Sequence, residues 1–146
     1  MKKMAAKKFK FLEHTADIKF QAFGKNLNEL FENSALALKE VMTEDKIKEK
    51  TTESIFLNVD GKGEEGALHE FLEELLFLFE TRGFLLSKIK KISVKQDDGE
   101  YFIEAEISGD KAENYKISDH VKAVTYNDMF VKKEKSRWVS QVVLDV

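Results

Sequence analysis

Carboxylates carry most of the chemistry this sequence could perform, and two of them crowd its end. The stretch VVLDV, residues 142–146, reads as a buried strand interrupted only by Asp145, and the α-carboxyl of Val146 follows at once. Adjacent like charges raise each other's pKa and disfavour ionisation, so such a strand tip needs a positive partner. A Lys or Arg side chain could supply it, and so could a hard divalent cation, which prefers several carboxylate oxygens. A second polar group, Glu13, His14 and Asp17 of EHTAD, falls at the junction of two expected strands. By residue type alone, Asp17 is more often a turn or capping residue than a ligand.

Other patterns come close to known chemistry and then fail on context. GKGEEG, residues 61–66, matches the glycine spacing of a dinucleotide loop between a strand and a helix. Glu64 and Glu65 would, however, face the pyrophosphate at the helix N-terminus, where anions should come from the ligand. The plainer reading is a glycine loop whose acids complement the helix macrodipole. His69 opens HEFLE, but Glu73 stands where a second zinc-binding His would be needed, so His69 reads as a surface or packing residue of its helix. The chain has three His and no Cys, which leaves no thiolate chemistry, no disulfide and no Cys-based zinc site. Neither a nucleophile elbow nor a phosphate-binding P-loop occurs.

These residues need a scaffold, and the composition provides one. A chain of 146 residues with 42% hydrophobic content and 12 Phe is expected to form a single domain over 1–146 with a real core. No apolar run approaches the roughly 20 residues of a membrane span. The lysine-rich start, MKKMAAKKFK, lacks the apolar segment of a signal peptide. The expectation is a soluble intracellular protein whose residues 1–8 are a flexible basic tail. Charged residues reach 35% yet sum to −3, which argues against nucleic-acid binding through overall charge.

The expected fold class is α+β: two main helices packed on a mostly antiparallel sheet. FKFLEH is a short strand, and DIKFQAFG alternates Ile18, Phe20 and Ala22 against Asp17, Lys19 and Gln21. Asn26 with Glu29 resembles a capping box. It opens a helix whose Leu27, Leu30, Phe31, Ala35, Leu38 and Met42 share one face. After the charged connector EDKIKEK and the strand ESIFLNVD comes a second helix, residues 64–82, ending at Gly83. Its half FLEELLFLFE is apolar nearly all round and is expected in the centre of the domain. FLLSKIKKISVKQ, a DDG turn, EYFIEAEISG, HVKAVTYNDMFVKKE and SRWVSQVVLDV supply the remaining strands.

Three blocks in order, FLEHTADIKFQAFGKNLNELFENSALAL, VKAVTY and the terminal VVLDV, resemble the archease family. The resemblance implies a small cytoplasmic α+β protein that serves the GTP-dependent RNA ligase of tRNA splicing. That ligase carries a covalent guanylate on a histidine and uses divalent metal. Archease promotes its guanylylation and repeated turnover. The resemblance also implies a metal site, usually assigned as calcium. Its ligands here would be Asp17, Asp145 and Val146, the last through a main-chain or terminal oxygen. Hard oxygen donors favour Ca²⁺, Mg²⁺ or Mn²⁺ over zinc. One position departs from the family pattern. Where a His usually follows KAVTY, this chain has Asn127 and then Asp128, and Asn cannot shuttle protons near neutral pH. The reading is thus a non-enzymatic activator of an RNA ligase, with RNA contact indirect or weak and no membrane association. Two rivals stand beside it: a small metal-dependent phosphate-ester hydrolase using the same carboxylates, and a chaperone-like or RNA-binding module.

Overall fold

Alternation along residues 17–23 becomes a strand with one dry face. The computed structural model describes residues 7–13 and 16–146. Its elements run β1 (Phe9–Leu12), β2 (Ile18–Gly24), α1 (Leu27–Met42), β3 (Thr51–Asp60), α2 (Gly63–Arg82), β4 (Phe84–Asp97), β5 (Glu100–Lys111), a 3₁₀ turn (Ala112–Asn114), β6 (Ala123–Glu134) and β7 (Arg137–Asp145). His14 and most of the expected basic tail lie outside the described residues. Lys7 and Lys8 are within them, and Lys8 is not a loose tail, because its carbonyl accepts the Phe23 N–H at 2.9 Å.

The α+β class and the antiparallel pairing are as expected, but the strands divide between two sheets instead of forming one. A four-stranded sheet has the order β1-β2-β7-β6, and a three-stranded sheet has the order β3-β5-β4. The helices form the layer between them. α1 packs on β2 and β7 and also on β4, while α2 packs on β6 and on β3, β4 and β5. Burial on two sides explains why α1 hides so much of its circumference, including Ser34, Ala37 and Val41 beside the expected apolar face. The rings of Phe31 and Phe71, 5.8 Å apart, join the two helices across the core.

Local signals place the helix ends. Asn26 Oδ1 accepts the Glu29 N–H at 2.9 Å, and Glu29 Oε1 reaches the N–H of Lys25, one residue before the cap. Gly24 must be glycine because a Cβ there would fall on the backbone nitrogen of Leu30. α2 begins at Gly63, so the last four residues of GKGEEG are helix and not loop, with Glu64 and Glu65 in its first turn. It ends at Gly83, whose φ of 62° is the left-handed conformation expected of a glycine stop. The inference that FLEELLFLFE is central on all sides needs correction at Phe77. Phe71, Leu72, Leu75, Leu76 and Leu78 are buried, but Phe77 is 53% exposed.

In the four-stranded sheet, Phe20, Ala22, Ser140, Val142 and Leu144 face the helices; Ser34 Oγ of α1 lies 2.9 Å from Ser140 Oγ. Lys19, Gln21, Phe23, Val139, Gln141 and Val143 alternate onto the outer face. β6 is irregular: Thr125 faces Val143 and Phe130 faces Gln141, so the four residues Tyr126–Met129 stand against Val142 alone.

Candidate functional site

Pairing between the beginning and the end of the chain builds the acidic end of the four-stranded sheet. β2 and β7 run antiparallel with Ile18 opposite Leu144, and Asp17 precedes one while Asp145 closes the other. One further step of the same register sets Asp17 across from Asp145, with Val146 next. On the other side of β7, Ala123 faces Asp145, and the Asp145 carbonyl accepts the Lys122 N–H at 2.7 Å. That bond pins the tip of β7 and leaves the Asp145 carboxylate as the group available for chemistry. Among the described residues, Asp145 forms no ion pair with Lys or Arg. Asp17 and Asp145 are each partly buried.

A metal here would depend on few donors. Among the described residues, no group of three or more His, Cys, Asp or Glu side chains could hold a metal ion. The oxygens present at this tip are those of Asp17, Asp145 and Val146, hard donors that would leave most positions of a six- to eight-coordinate ion open.

Beside this acidic tip, the bulge of β6 folds over the outer face. Asp128 has a φ of 51°, a conformation that Asn and Asp tolerate better than most residues. Its carboxylate meets Lys19 Nζ at 3.3 Å, and its carbonyl accepts from Gln141 Nε2 at 2.7 Å. Gln141 in turn accepts from Gln21 Nε2 at 2.9 Å. Asn127 sits exposed on the same bulge, with its N–H on Thr125 Oγ1 at 3.3 Å. Lys19, Gln21 and Gln141 escaped the reading of the sequence. Their only local signal was the polar half of a strand alternation, which by itself says nothing about a site.

The near-miss motifs resolve as packing. His69 Nε2 lies 2.7 Å from the Val124 carbonyl, so that nitrogen carries the proton and cannot ligate zinc. Its ring stacks on Tyr126 at 4.1 Å and 14°. Nδ1 is buried with no hydrogen-bond partner, Glu70 Oε1 lying 4.0 Å from it, while Glu73 Oε1 lies 3.9 Å from Nε2. Glu65, the acid of the glycine motif, accepts the Val131 N–H at 3.4 Å and so ties α2 to β6. One depressed carboxyl belongs to β5 of the other sheet. Asp110 accepts from Tyr115 Oη at 2.8 Å and from the Lys111 N–H at 2.7 Å, and these bonds hold it below the usual carboxylate range.

Comparison with known proteins matches this architecture. The sequence model of the Archease protein family covers residues 9–146. The chain is 38% identical to the protein archease of Methanosarcina mazei over 143 residues, 96% of this chain and 97% of that one. It is 38% identical to the archease of Pyrococcus furiosus over 137 residues, 92% and 95% of the two chains. The solution structure of Methanobacterium thermoautotrophicum protein 1598 superposes with a TM-score of 0.79 at 31% identity, covering 94% of this chain and 98% of that one. A crystal structure from Thermotoga maritima, described as an archease and a possible chaperone, shares the fold with a TM-score of 0.59 at 18% identity over the whole of both chains.

Proposed function

This chain belongs to the archease family, and from that premise we propose that it is a non-catalytic protein cofactor of the GTP-dependent RNA ligase of tRNA splicing. In this reading it acts in the cytoplasm, promotes guanylylation of the ligase and sustains its turnover. A divalent cation, most simply Ca²⁺, would be held by Asp17, Asp145 and Val146. The observation that carries the reading is the β2–β7 register, which brings the two carboxylate residues from opposite ends of the chain to one sheet tip.

The residues fit a hard cation. Two side-chain carboxylates gather where no Lys or Arg pairs with Asp145 among the described residues, and a doubly charged ion would offset them. When bound, the cation would supply a Lewis-acidic centre with open positions for oxygens of a partner or a phosphate. The chain's own part is to position it. The Lys122 N–H fixes the β7 tip, and Lys19 anchors the bulge beside it through Asp128. Asn127, at the position where the family pattern has His, offers hydrogen bonding without proton transfer in this range of pH. Among the described residues, no helix is long and apolar enough to cross a membrane.

The test is GTP-dependent ligation by the cognate ligase, with and without substoichiometric amounts of this protein, using labelled GTP. Label should accumulate faster on the ligase and never on this chain. Labelling of this chain, or a ligase indifferent to it, would refute the activator role. Phosphate release by the protein alone would favour the hydrolase instead. Suppression of aggregation of unrelated clients would favour the chaperone role suggested for the Thermotoga maritima relative.

A further inference from the structure

The four-stranded sheet is bipolar. Opposite its acidic tip, the same outer face carries Lys8 and Lys10 of the β1 side, Lys132 of β6 and Arg137 of β7; among the described residues Glu134 is the one carboxylate of this end, paired with Lys132 at 3.3 Å on the exposed surface. The chain as a whole has more acids than bases, 27 against 24, so this concentration of cations is a local arrangement and not an average property. All four cationic residues are exposed.

Three of them lie over aromatic rings, Lys10 most loosely, with its Nζ 6.0 Å from the Phe23 centroid. Arg137 Cζ is 4.3 Å from the Phe23 ring centroid, and Lys132 Nζ is 4.5 Å from that of Phe130. Phe23 is a large apolar side chain on the face away from the core, yet it is only 7% exposed. It serves as a pedestal that holds the Arg137 guanidinium. Between this end and the acidic tip, Gln21 and Gln141 form a hydrogen-bonded amide pair. The Gln21 amide nitrogen is spent on that bond, so its oxygen remains an acceptor on the same face.

We propose that this cationic half of the sheet face binds a short stretch of single-stranded RNA. Lys8, Lys10 and Lys132 would contact phosphates, the Arg137 plane and the Phe130 ring would stack bases, and Gln21 would accept a hydrogen bond from a base or a 2′-hydroxyl. Strand spacing makes the patch about 13 Å along the strands and about 14 Å across them, room for roughly three phosphates. An acidic protein segment would also be drawn to the cations. Its carboxylates could bond the edge of the guanidinium but would make no use of the guanidinium face or the Phe130 ring, and those stacking faces favour nucleic acid. Without a bound cation the acidic tip repels phosphate, so the strand keeps to the far half of the face. This inference goes beyond the activator reading and does not need the ligase.

The probe is a fluorescein-labelled eight-residue oligouridylate, read by anisotropy from 50 to 200 mM salt, with a polyglutamate peptide in parallel. Three phosphate contacts predict that affinity falls about 20-fold across that range. Arg137→Lys keeps the charge and removes the plane, so it should weaken RNA about fivefold or more and weaken polyglutamate less than that. K10E combined with K132E should abolish RNA binding, whereas K91E on the other sheet should not affect it; thermal melts establish that each variant is folded. The proposal is overturned if the parent fails to bind RNA at 50 mM salt, if Arg137→Lys binds like the parent, or if polyglutamate displaces RNA as an equal competitor. The last result would assign the patch to an acidic protein partner.

Discussion

If Asp145 is a metal ligand, the replacement Asp145→Asn should uncouple the fold from calcium without unfolding it. The amide is nearly isosteric, and the Asp145 carbonyl keeps its bond from the Lys122 N–H. For 146 residues, an unfolding entropy of about 2.1 cal/mol/K per residue makes 1 kcal/mol worth about 3 °C in melting temperature. Calcium at a hundredfold excess over its dissociation constant stabilises the parent by about 2.7 kcal/mol, hence by about 9 °C. A carboxylate charge about 2.4 Å from a doubly charged ion contributes about 3.5 kcal/mol even at the dielectric constant of water, or roughly 300-fold in affinity. At the same calcium concentration the variant would be mostly empty and gain only about 0.5 °C. The assay is circular-dichroism melting in chelator and in calcium, with affinities measured by titration calorimetry. Glu106→Gln, whose carboxylate is paired with Lys90 on the other sheet, serves as a control and should keep the calcium shift. Equal shifts in parent and Asp145→Asn, or no shift in the parent at millimolar calcium, would refute the assignment of the tip as a metal site.

Three further outcomes test the scaffold. Gly24→Ala should cost about 1–3 kcal/mol, a fall of roughly 3–10 °C on melting, because its Cβ would fall on the backbone of Leu30. Asp110 has a depressed pKa, so the stability it gives is present above the ordinary carboxylate range and is lost as pH falls through its folded value. Acid titration of Asp110→Asn should therefore show a shallower loss than the parent. Tyr101, pushed up to about 12 mainly by burial and then by Glu64 and Glu65, gives the opposite sign. Its contribution is complete below pH 10 and is lost toward pH 12, by about 2.7 kcal/mol, and urea denaturation at alkaline pH should show this loss in the parent but not in Tyr101→Phe.

What the sequence revealed was local. The Asn26 cap, the glycine stop at Gly83 and the turn at Asp98 and Gly99, both with positive φ, each act through a few neighbouring residues and can be read from them. The alternation of Ile18, Phe20 and Ala22 likewise needs no partner to be recognised. Which strand lies beside β2 is another matter. Its partner β7 is more than a hundred residues away, as the Gln21–Gln141 bond illustrates, and no local pattern records that choice. The division into two sheets was illegible for the same reason. So was the exposure of Phe77, because an apolar helix does not say which of its sides the layers will cover. At the candidate site, residue type and family resemblance suggested Asp17 and Asp145, but their proximity follows from the strand pairing alone. The outer-face residues Lys19, Gln21 and Arg137 became visible only with that register.

The irregularity at Tyr126–Met129 also governs parity. Val124 and Val131 both face the helices although seven residues separate them, an odd interval that a regular strand would send to opposite sides. Four residues against one insert three extra, and that odd number turns the alternation over so that Phe130 and Lys132 reach the outer face with Thr125. Deleting one residue here would aim Val131 at water and Lys132 at the core together, whereas deleting two would preserve both assignments. Melting of the two deletions should separate them, with the shorter cut the more damaging. For the face that carries both the acidic tip and the cationic patch, the length of this segment is counted modulo two.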